Sequence, residues 1–184
     1  LLNGEYYFYS DIPKSYLLTN ILLKSPEYLL FTYIIFLFLF FKSKNFFTLK
    51  IKFFNYKLII VLSMLVYPFL LLYFTPFSIY DGLRHVLWMI PYLCIIPSLT
   101  VFYLSENINL KTTKFVSIIL IISIFYFLFN FMMTTPYQYT YLNIFNGNKK
   151  NHYQKFENDY WGGSLKELIK KMNLPKNEEI KFAI

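Results

Sequence analysis

Four long apolar blocks without a charged residue constrain this fold more than any other feature of the sequence. A helix that crosses a bilayer needs about 20 apolar residues, and four such blocks in succession do not fit the core of a soluble domain. The first block is short, with about 17 residues when its flanking positions are included. We predict an all-α polytopic membrane protein with spans near residues 26–42, 58–74, 86–104 and 115–133.

Composition supports a bilayer as the partner and argues against nucleic acid. Only 15% of the 184 residues are charged, whereas soluble domains have roughly 25%. The net charge of +8 is explained by lysines that anchor helix ends to anionic headgroups. A disulfide scaffold is excluded because Cys94 is the sole cysteine.

The distribution of lysine predicts the orientation in the membrane. Lys111 and Lys114 lie between the third and fourth spans, and the opposite loop contains only Arg84. After the fourth span no basic residue appears before Lys149. The loop between the first two spans contains Lys42, Lys44, Lys50, Lys52 and Lys57. Because basic residues favour the cytoplasmic side, both ends of the chain are expected outside.

The first part of the chain is predicted to form a membrane domain, residues 1–133. Its leading segment, residues 1–25, contains a short apolar stretch at 17–23. That stretch cannot span a bilayer, so it predicts a helix that lies at the outer interface. Residues 134–184 form a second, extracytoplasmic segment.

This C-terminal segment is predicted to begin a small α/β unit. Ser164 and Glu167 form a capping box, which marks the start of a helix. Apolar residues recur at helical spacing through residues 165–172. Residues 180–184 alternate as in a strand, and both ends of the chain are expected to be cut from a longer polypeptide.

The short outer loop offers a candidate anion-binding cluster of Asp81, Arg84 and His85. Arg84 is the one arginine among 18 basic residues, which suggests a task that lysine performs poorly. A guanidinium can bind phosphate or carboxylate with two parallel hydrogen bonds. Alternatively, Arg84 pairs with Asp81 on the first helical turn. The two roles are compatible.

The tail has a second group of candidate residues, to which the sequence assigns structural roles. Tyrosines just beyond a span, including Tyr137 and Tyr139, suit the headgroup region, although sugar stacking is an alternative. Asp159, Tyr160 and Trp161 would join the tail to the membrane domain. Two histidines and one cysteine make no zinc-binding pattern, so no metal site is expected.

Several of these segments, in order, resemble the C-terminal half of membrane glycosyltransferases of the GT-C superfamily. The most similar group contains the protein mannosyltransferases and the lipid A aminoarabinose transferases. The matching segments are residues 11–16 with 24–27, residues 80–85, and residues 136–139 followed by 157–162. Together they cover about two-thirds of the chain, and the last is the most distinctive.

The resemblance implies a bacterial inner-membrane enzyme that transfers a sugar from a polyprenyl-phosphate donor to an acceptor at the outer face. Neither the sugar nor the acceptor is identified. In that family the catalytic carboxylate follows the first membrane helix, so the general base is expected upstream of this fragment. Arg84, and with it His85, would contact the donor phosphate. No cofactor is evident, although a divalent metal could serve the complete enzyme.

Two other classes of function compete with this hypothesis. One is a non-catalytic membrane scaffold or assembly subunit whose outer tail binds a partner. The other, a transporter, is disfavoured because transporters usually place ionisable groups within the bilayer. The apolar blocks of the predicted spans, residues 28–41, 58–74, 86–104 and 115–133, contain no charged residue, and prolines interrupt the second and third. A scaffold has no need of the cluster at Arg84, so substitution there separates it from an enzyme.

Overall fold

Helices make up most of the regular structure in the computed structural model of the chain. The structure describes residues 1–8, 11–75, 82–147, 155–156 and 165–172. The α-helices are α1 (Tyr16–Lys24), α2 (Glu27–Lys50), α3 (Phe54–Phe74), α4 (Ile90–Glu106), α5 (Lys111–Met133) and α6 (Leu165–Lys171). Short 3₁₀ helices cover Arg84–Met89, Gln138–Thr140 and Ile144–Asn146.

Four helices of the described chain are long and apolar enough to cross a bilayer, which is the number that the sequence predicts. They span Glu27–Lys50, Phe54–Phe74, Arg84–Glu106 and Lys111–Met133, with 21 to 24 residues each. The chain is therefore a multi-pass membrane protein by the length and composition of its helices. The third span begins with the 3₁₀ helix and continues as α4.

The boundaries of α2 differ from the prediction. We expected a loop to start after residue 42, but the helix continues to Lys50. Ser43 has non-helical backbone angles, so the predicted end of the span is a kink. The extension is held by Phe47, which is fully buried and stacks on the Phe54 ring at 5.3 Å between centroids. The helix therefore continues past Lys42 and Lys44, because the packing of Phe47 stabilises its last two turns.

The tail agrees with the prediction in one element. The helix that the capping box predicts is present as α6. The predicted strand at residues 180–184 lies outside the described residues, as does Ser164. Within the described part, β pairing is limited to isolated bridges from Leu2 to Glu5 and Phe156. The α/β unit and the separate C-terminal domain stay predictions.

Helices α2 and α4 form the centre of the bundle. Each contacts the other and also packs against α3 and α5. One apolar core joins α2, α3, the 3₁₀ helix and α4, and consists of Phe36, Leu39, Phe47, Phe54, Leu58, Val61, Leu65, Met89 and Ile96. Helix α5 lies at the periphery, and most of its apolar side chains are exposed. That distribution suits a helix that faces hydrocarbon.

Hydrogen bonds to backbone carbonyls connect α2 to α4. Pro97 lacks an N–H, so the carbonyl of Leu93 loses its helical donor. The Tyr33 hydroxyl of α2 donates to that carbonyl at 2.7 Å. About two turns further along α4, the buried Thr100 Oγ1 donates to the Thr32 carbonyl at 3.0 Å. A neighbouring helix therefore satisfies the backbone group that proline frees, as membrane interiors require.

The predicted orientation can be tested by labelling single cysteines introduced into a Cys94→Ser background. Lys52 lies in the loop between α2 and α3, and Thr135 follows α5; both are exposed. We expect a membrane-impermeant thiol reagent added to spheroplasts to label Thr135→Cys but not Lys52→Cys. Permeabilised cells should label both, which controls for reactivity. If only Lys52→Cys were labelled in intact spheroplasts, the orientation would be opposite to the predicted one.

Candidate functional site

Three of the motif-bearing segments meet at one end of the bundle, which we call the Glu27 end. Here α2 begins, α3 ends, the third span begins and α5 ends. The backbone N–H of Gly82 donates to the buried hydroxyl of Tyr16 at 2.7 Å. Lys14 donates to the Tyr73 carbonyl at 2.8 Å, at the end of α3. The first residue of α1 therefore holds the loop that leads to Arg84, and the segment before α1 holds the end of α3.

Glu27 makes the second connection at this end. It is only 4% exposed, although it is the first residue of a candidate span. One carboxylate oxygen accepts from the Tyr141 hydroxyl at 2.6 Å, and the other accepts from the backbone N–H of Ile144 at 2.9 Å. A buried carboxylate needs such donors. The segment after α5 is thus joined to the start of α2.

Burial raises the pKa of the Tyr141 phenol, and the hydrogen bond to Glu27 raises it further. The phenol therefore stays protonated at physiological pH and keeps its role as a donor. Its ring packs edge-on against Phe127 of α5, with 5.1 Å between centroids. Tyr141 consequently joins the ends of α2 and α5 with both its polar and its apolar parts.

Two buried asparagines complete this polar network by capping the C-terminus of α1. Asn143 Nδ2 donates to the carbonyls of Leu22 at 2.6 Å and Ser25 at 2.9 Å. The Asn143 backbone N–H and Asn146 Nδ2 both donate to the Leu23 carbonyl, at 3.1 and 2.8 Å. Carbonyls at a helix C-terminus lack helical partners, and here the segment after α5 supplies them.

An apolar cluster lies at the same end and holds the segments around Arg84. Its buried members are Leu2, Tyr16, Leu17, Leu72, Val86, Leu142 and Phe156. They come from the N-terminal segment, α1, α3, the 3₁₀ helix and the tail. Val86 is 6% exposed and directly follows His85. The backbone that carries the predicted cationic pair is therefore anchored by buried side chains.

The predicted anion-binding residues occupy the start of the 3₁₀ helix. Arg84 and His85 are its first two residues, and both are exposed. Asp81 lies outside the described residues, so its predicted pairing with Arg84 is untested. Among the described residues, no three His, Cys, Asp or Glu side chains gather as a metal-binding group. The structure thus presents Arg84 and His85 at the Glu27 end.

The predicted tail residues divide into a described pair and an undescribed group. Tyr137 and Tyr139 lie beyond α5, and their rings meet nearly at right angles with 6.1 Å between centroids. Tyr139 is 42% exposed, while Tyr137 is half-buried. These positions suit the interfacial role that we predict. Asp159, Tyr160 and Trp161 lie outside the described residues.

The polar network at the Glu27 end is a part of this site that was not predicted from the sequence. Glu27 appeared there only in a segment that carries the resemblance, and Asn143 and Asn146 did not figure. Two signals were available: an acid at the border of an apolar block, and asparagines three residues apart shortly after another block. Neither signal indicates that the two segments contact each other.

Comparisons with known proteins give no match, so the function of the chain is inferred from the residues described above. The chain matches no protein-family model, no curated protein sequence and no solved structure. What is established is therefore a multi-pass membrane protein with an ordered polar network at the Glu27 end and an exposed Arg84 at the start of the third candidate span.

Proposed function

We propose that the chain is part of a membrane glycosyltransferase that moves a sugar from a polyprenyl-phosphate donor to an acceptor at the outer face of a bacterial inner membrane. The convergence of the motif-bearing segments at the Glu27 end carries this proposal. Residues 11–16 contact Gly82, and Glu27 contacts Tyr141. The first two segments of the resemblance, residues 11–27 and 80–85, are thereby neighbours in space, and Tyr141, two residues beyond residues 136–139, contacts the first of them.

The place of Arg84 supports a role in binding the donor phosphate. It is the first residue of a candidate span, the depth at which a lipid-linked phosphate meets water. It is exposed, whereas its neighbours Gly82 and Val86 are buried. A guanidinium held on anchored backbone can bind two phosphate oxygens at once. His85, the next residue of the 3₁₀ helix, adds a second side chain whose nitrogens can form hydrogen bonds.

Under this proposal the general base comes from sequence outside these 184 residues. Glu27 is unsuited to that task, because both of its oxygens accept hydrogen bonds within the fold. A base must reach the acceptor hydroxyl directly or through one water. The residues described here would bind and orient the donor, and cationic groups would stabilise the departing phosphate.

The decisive experiment replaces Arg84 in the complete enzyme. We expect Arg84→Ala to lower kcat/KM for the lipid-linked donor about tenfold to hundredfold, the loss of a charged hydrogen bond. Arg84→Lys should also lower it, because the charge remains but the bidentate geometry is lost. Transfer of radiolabelled sugar, expressed per correctly inserted molecule, measures both effects.

Leu87→Ala is the matched control, since Leu87 is exposed and lies one 3₁₀ turn from Arg84. It should leave transfer unchanged. Normal transfer by inserted Arg84→Ala protein would contradict the proposed phosphate contact. Poor insertion of Arg84→Ala with normal transfer by the inserted fraction would assign Arg84 a structural role instead.

A membrane scaffold is the second candidate, and the polar network favours it. The hydrogen bonds of this network order the Glu27 end through Glu27, Asn143 and Asn146. A scaffold needs an ordered surface of this kind to bind a protein partner. For a scaffold, a disrupting substitution at Asn143 should release the partner from the purified complex, while Arg84→Ala retains it. If the chain is part of an enzyme instead, Arg84→Ala should lower sugar transfer as described above.

A further inference from the structure

The start of α2 lies deeper in the bundle than the end of α5. Glu27 is the first residue of α2, and the next residue, Tyr28, packs its ring on that of Phe127 in α5, with 5.4 Å between centroids. Helix α5 continues beyond Phe127 to Met133, which adds about 9 Å at 1.5 Å per residue. Since Glu27 precedes Tyr28 by one residue, it lies about 7 Å below the end of α5, measured along the helix axes.

The third span gives the same depth independently. The Tyr33 hydroxyl donates to the Leu93 carbonyl at 2.7 Å, which places these two residues at a similar level. From Leu93 to Arg84, where the third span begins, the chain rises about 16 Å through α-helical and 3₁₀ turns. From Tyr33 to Glu27 it rises only about 9 Å. Both comparisons therefore place Glu27 about 7 Å below the rim, our name for the level of Arg84 and Met133.

The irregular backbone at this depth has the hydrogen bonds that hydrocarbon demands. The chain leaves helical geometry at Ser25, between α1 and α2. The carbonyls of Leu22, Leu23 and Ser25 all accept from the two buried asparagines described above. Irregular backbone occurs at membrane depth only where the protein satisfies it. The polar network therefore makes the break between α1 and α2 compatible with a position inside the bilayer.

The side chains that α1 exposes are apolar. Its exposed residues are Leu18 and Leu22, which lie about one helical turn apart. Its asparagine, Asn20, is buried, and the Lys24 ammonium lies 4.9 Å from the centre of the buried Phe156 ring. A helix surface in water has the opposite distribution, with polar residues outside. The outer surface of α1 therefore suits hydrocarbon.

This apolar surface continues onto α2 and onto the segment after α5. Leu22, Ile34 and Phe145 line one groove, to which α1, α2 and that segment all contribute. All three side chains are exposed. Phe145 directly follows Ile144, whose backbone N–H donates to Glu27, so it lies near the depth of Glu27. The lipid-facing surface of the candidate span α2 is therefore continuous with α1 and Phe145.

We infer that α1 and residues 141–146 are embedded in the hydrocarbon of the leaflet at the Glu27 end, where Leu22 and Phe145 contact lipid acyl chains. Helix α1 begins closer to the rim, because the Tyr16 hydroxyl accepts from the Gly82 N–H, and it descends towards Glu27. This position is deeper than the interfacial one that the sequence predicts. Glu27 becomes a carboxylate within the membrane, where ionisable groups need partners inside the protein. The placement is the same for an enzyme and for a scaffold.

Nitroxide depth measurements on the full chain test this placement. Single cysteines at Leu22 and Phe145 carry the label, in the Cys94→Ser background and in vesicles of phosphatidylcholine with phosphatidylglycerol. Power saturation by oxygen, which concentrates in hydrocarbon, and by a nickel chelate, which stays in water, gives the depth of each label. Thr135→Cys is the reference near the rim, since Thr135 is exposed just beyond α5. Ile122→Cys is the deep reference, because Ile122 is 62% exposed within α5.

We expect the labels at Leu22 and Phe145 to lie about 7 Å or more below the label at Thr135, and closer to the depth of the label at Ile122. The two positions belong to separate segments, so a local disturbance at one does not affect the other. Labels at Leu22 and Phe145 that are no deeper than the label at Thr135 would overturn the inference and place α1 on the membrane surface.

A charge on the exposed face of α1 gives an independent measurement. Leu22→Asp should lower the yield of correctly inserted full chain about fivefold or more, because hydrocarbon does not solvate a carboxylate and aspartate is too short to reach the rim. Leu168→Asp is the matched control, since Leu168 is also exposed but lies on α6, outside the candidate spans. It should leave the yield unchanged. Equal yields for the two variants would contradict hydrocarbon around α1.

Discussion

Replacing Glu27 by alanine is expected to lower the free energy of unfolding by about 3 kcal/mol or more, because it removes two hydrogen bonds to a buried carboxylate. Each bond to a charged group contributes about 1.5–3 kcal/mol, and the donors left behind add a desolvation cost. The Tyr141 hydroxyl and the Ile144 N–H would lose their acceptors. Unfolding of the full chain in nanodiscs, followed by circular dichroism, measures the change.

Graded variants separate this effect from general damage. Glu27→Gln retains one neutral oxygen acceptor and should lose about half as much, whereas Tyr141→Phe removes one bond and retains the ring contact with Phe127. Glu106→Ala is the matched control, because that acid forms an exposed 2.6 Å ion pair with Lys50. Its cost should stay below about 1 kcal/mol. Equal losses for Glu27→Ala and Glu106→Ala would contradict a central role for Glu27.

The nearly isosteric change Asn143→Asp is expected to lower the free energy of unfolding by about 2–6 kcal/mol. It replaces the Nδ2 donor with an acceptor and directs a carboxylate oxygen at the carbonyls of Leu22 and Ser25. Each carbonyl left without a donor costs about 1–3 kcal/mol. Since Asn143 is 1% exposed, water has little access to repair the defect. The same unfolding measurement applies.

Asn107→Asp provides the matched control for this prediction. Asn107 follows α4 and donates to one carbonyl, that of Tyr103, at 2.9 Å. It is only partly buried, so solvent can hydrate the new carboxylate. We expect a loss of less than about 1.5 kcal/mol, a typical value for one neutral hydrogen bond. A loss as large as that of Asn143→Asp would show that the chemistry of the substitution, rather than the network, sets the cost.

The number of long helices was predictable because it depends on local composition alone. Each candidate span contains a long apolar run, and the transfer of such a run into hydrocarbon needs no partner elsewhere in the chain. The end of α2 was not predictable in the same way. It depends on the stacking of Phe47 on Phe54 and the contact of Phe46 with Tyr103, at 4.9 Å between centroids. These contacts exist only once the helices have packed.

The candidate site shows the same division between local and distant information. Arg84 stood out because its rarity can be read from composition, and in the structure it is the first residue of the third candidate span. The roles of Glu27 and Asn143 were invisible, because each depends on a partner more than a hundred residues away. Without that partner, Glu27 is an ordinary acid in the first turn of a helix.

This separation along the chain has a consequence for biosynthesis. The bonds from Tyr141, Asn143 and Asn146 join residues that are 114 to 123 positions apart. Because a chain is made from its N-terminus, α1 and the start of α2 leave the ribosome well before their capping partners exist. The Glu27 carboxylate therefore has no network partner until the fourth candidate span and the segment after it have been made. The network can close only after the fourth candidate span has been made, and a chain truncated before Tyr141 would expose Glu27 and the α1 carbonyls to quality-control proteases.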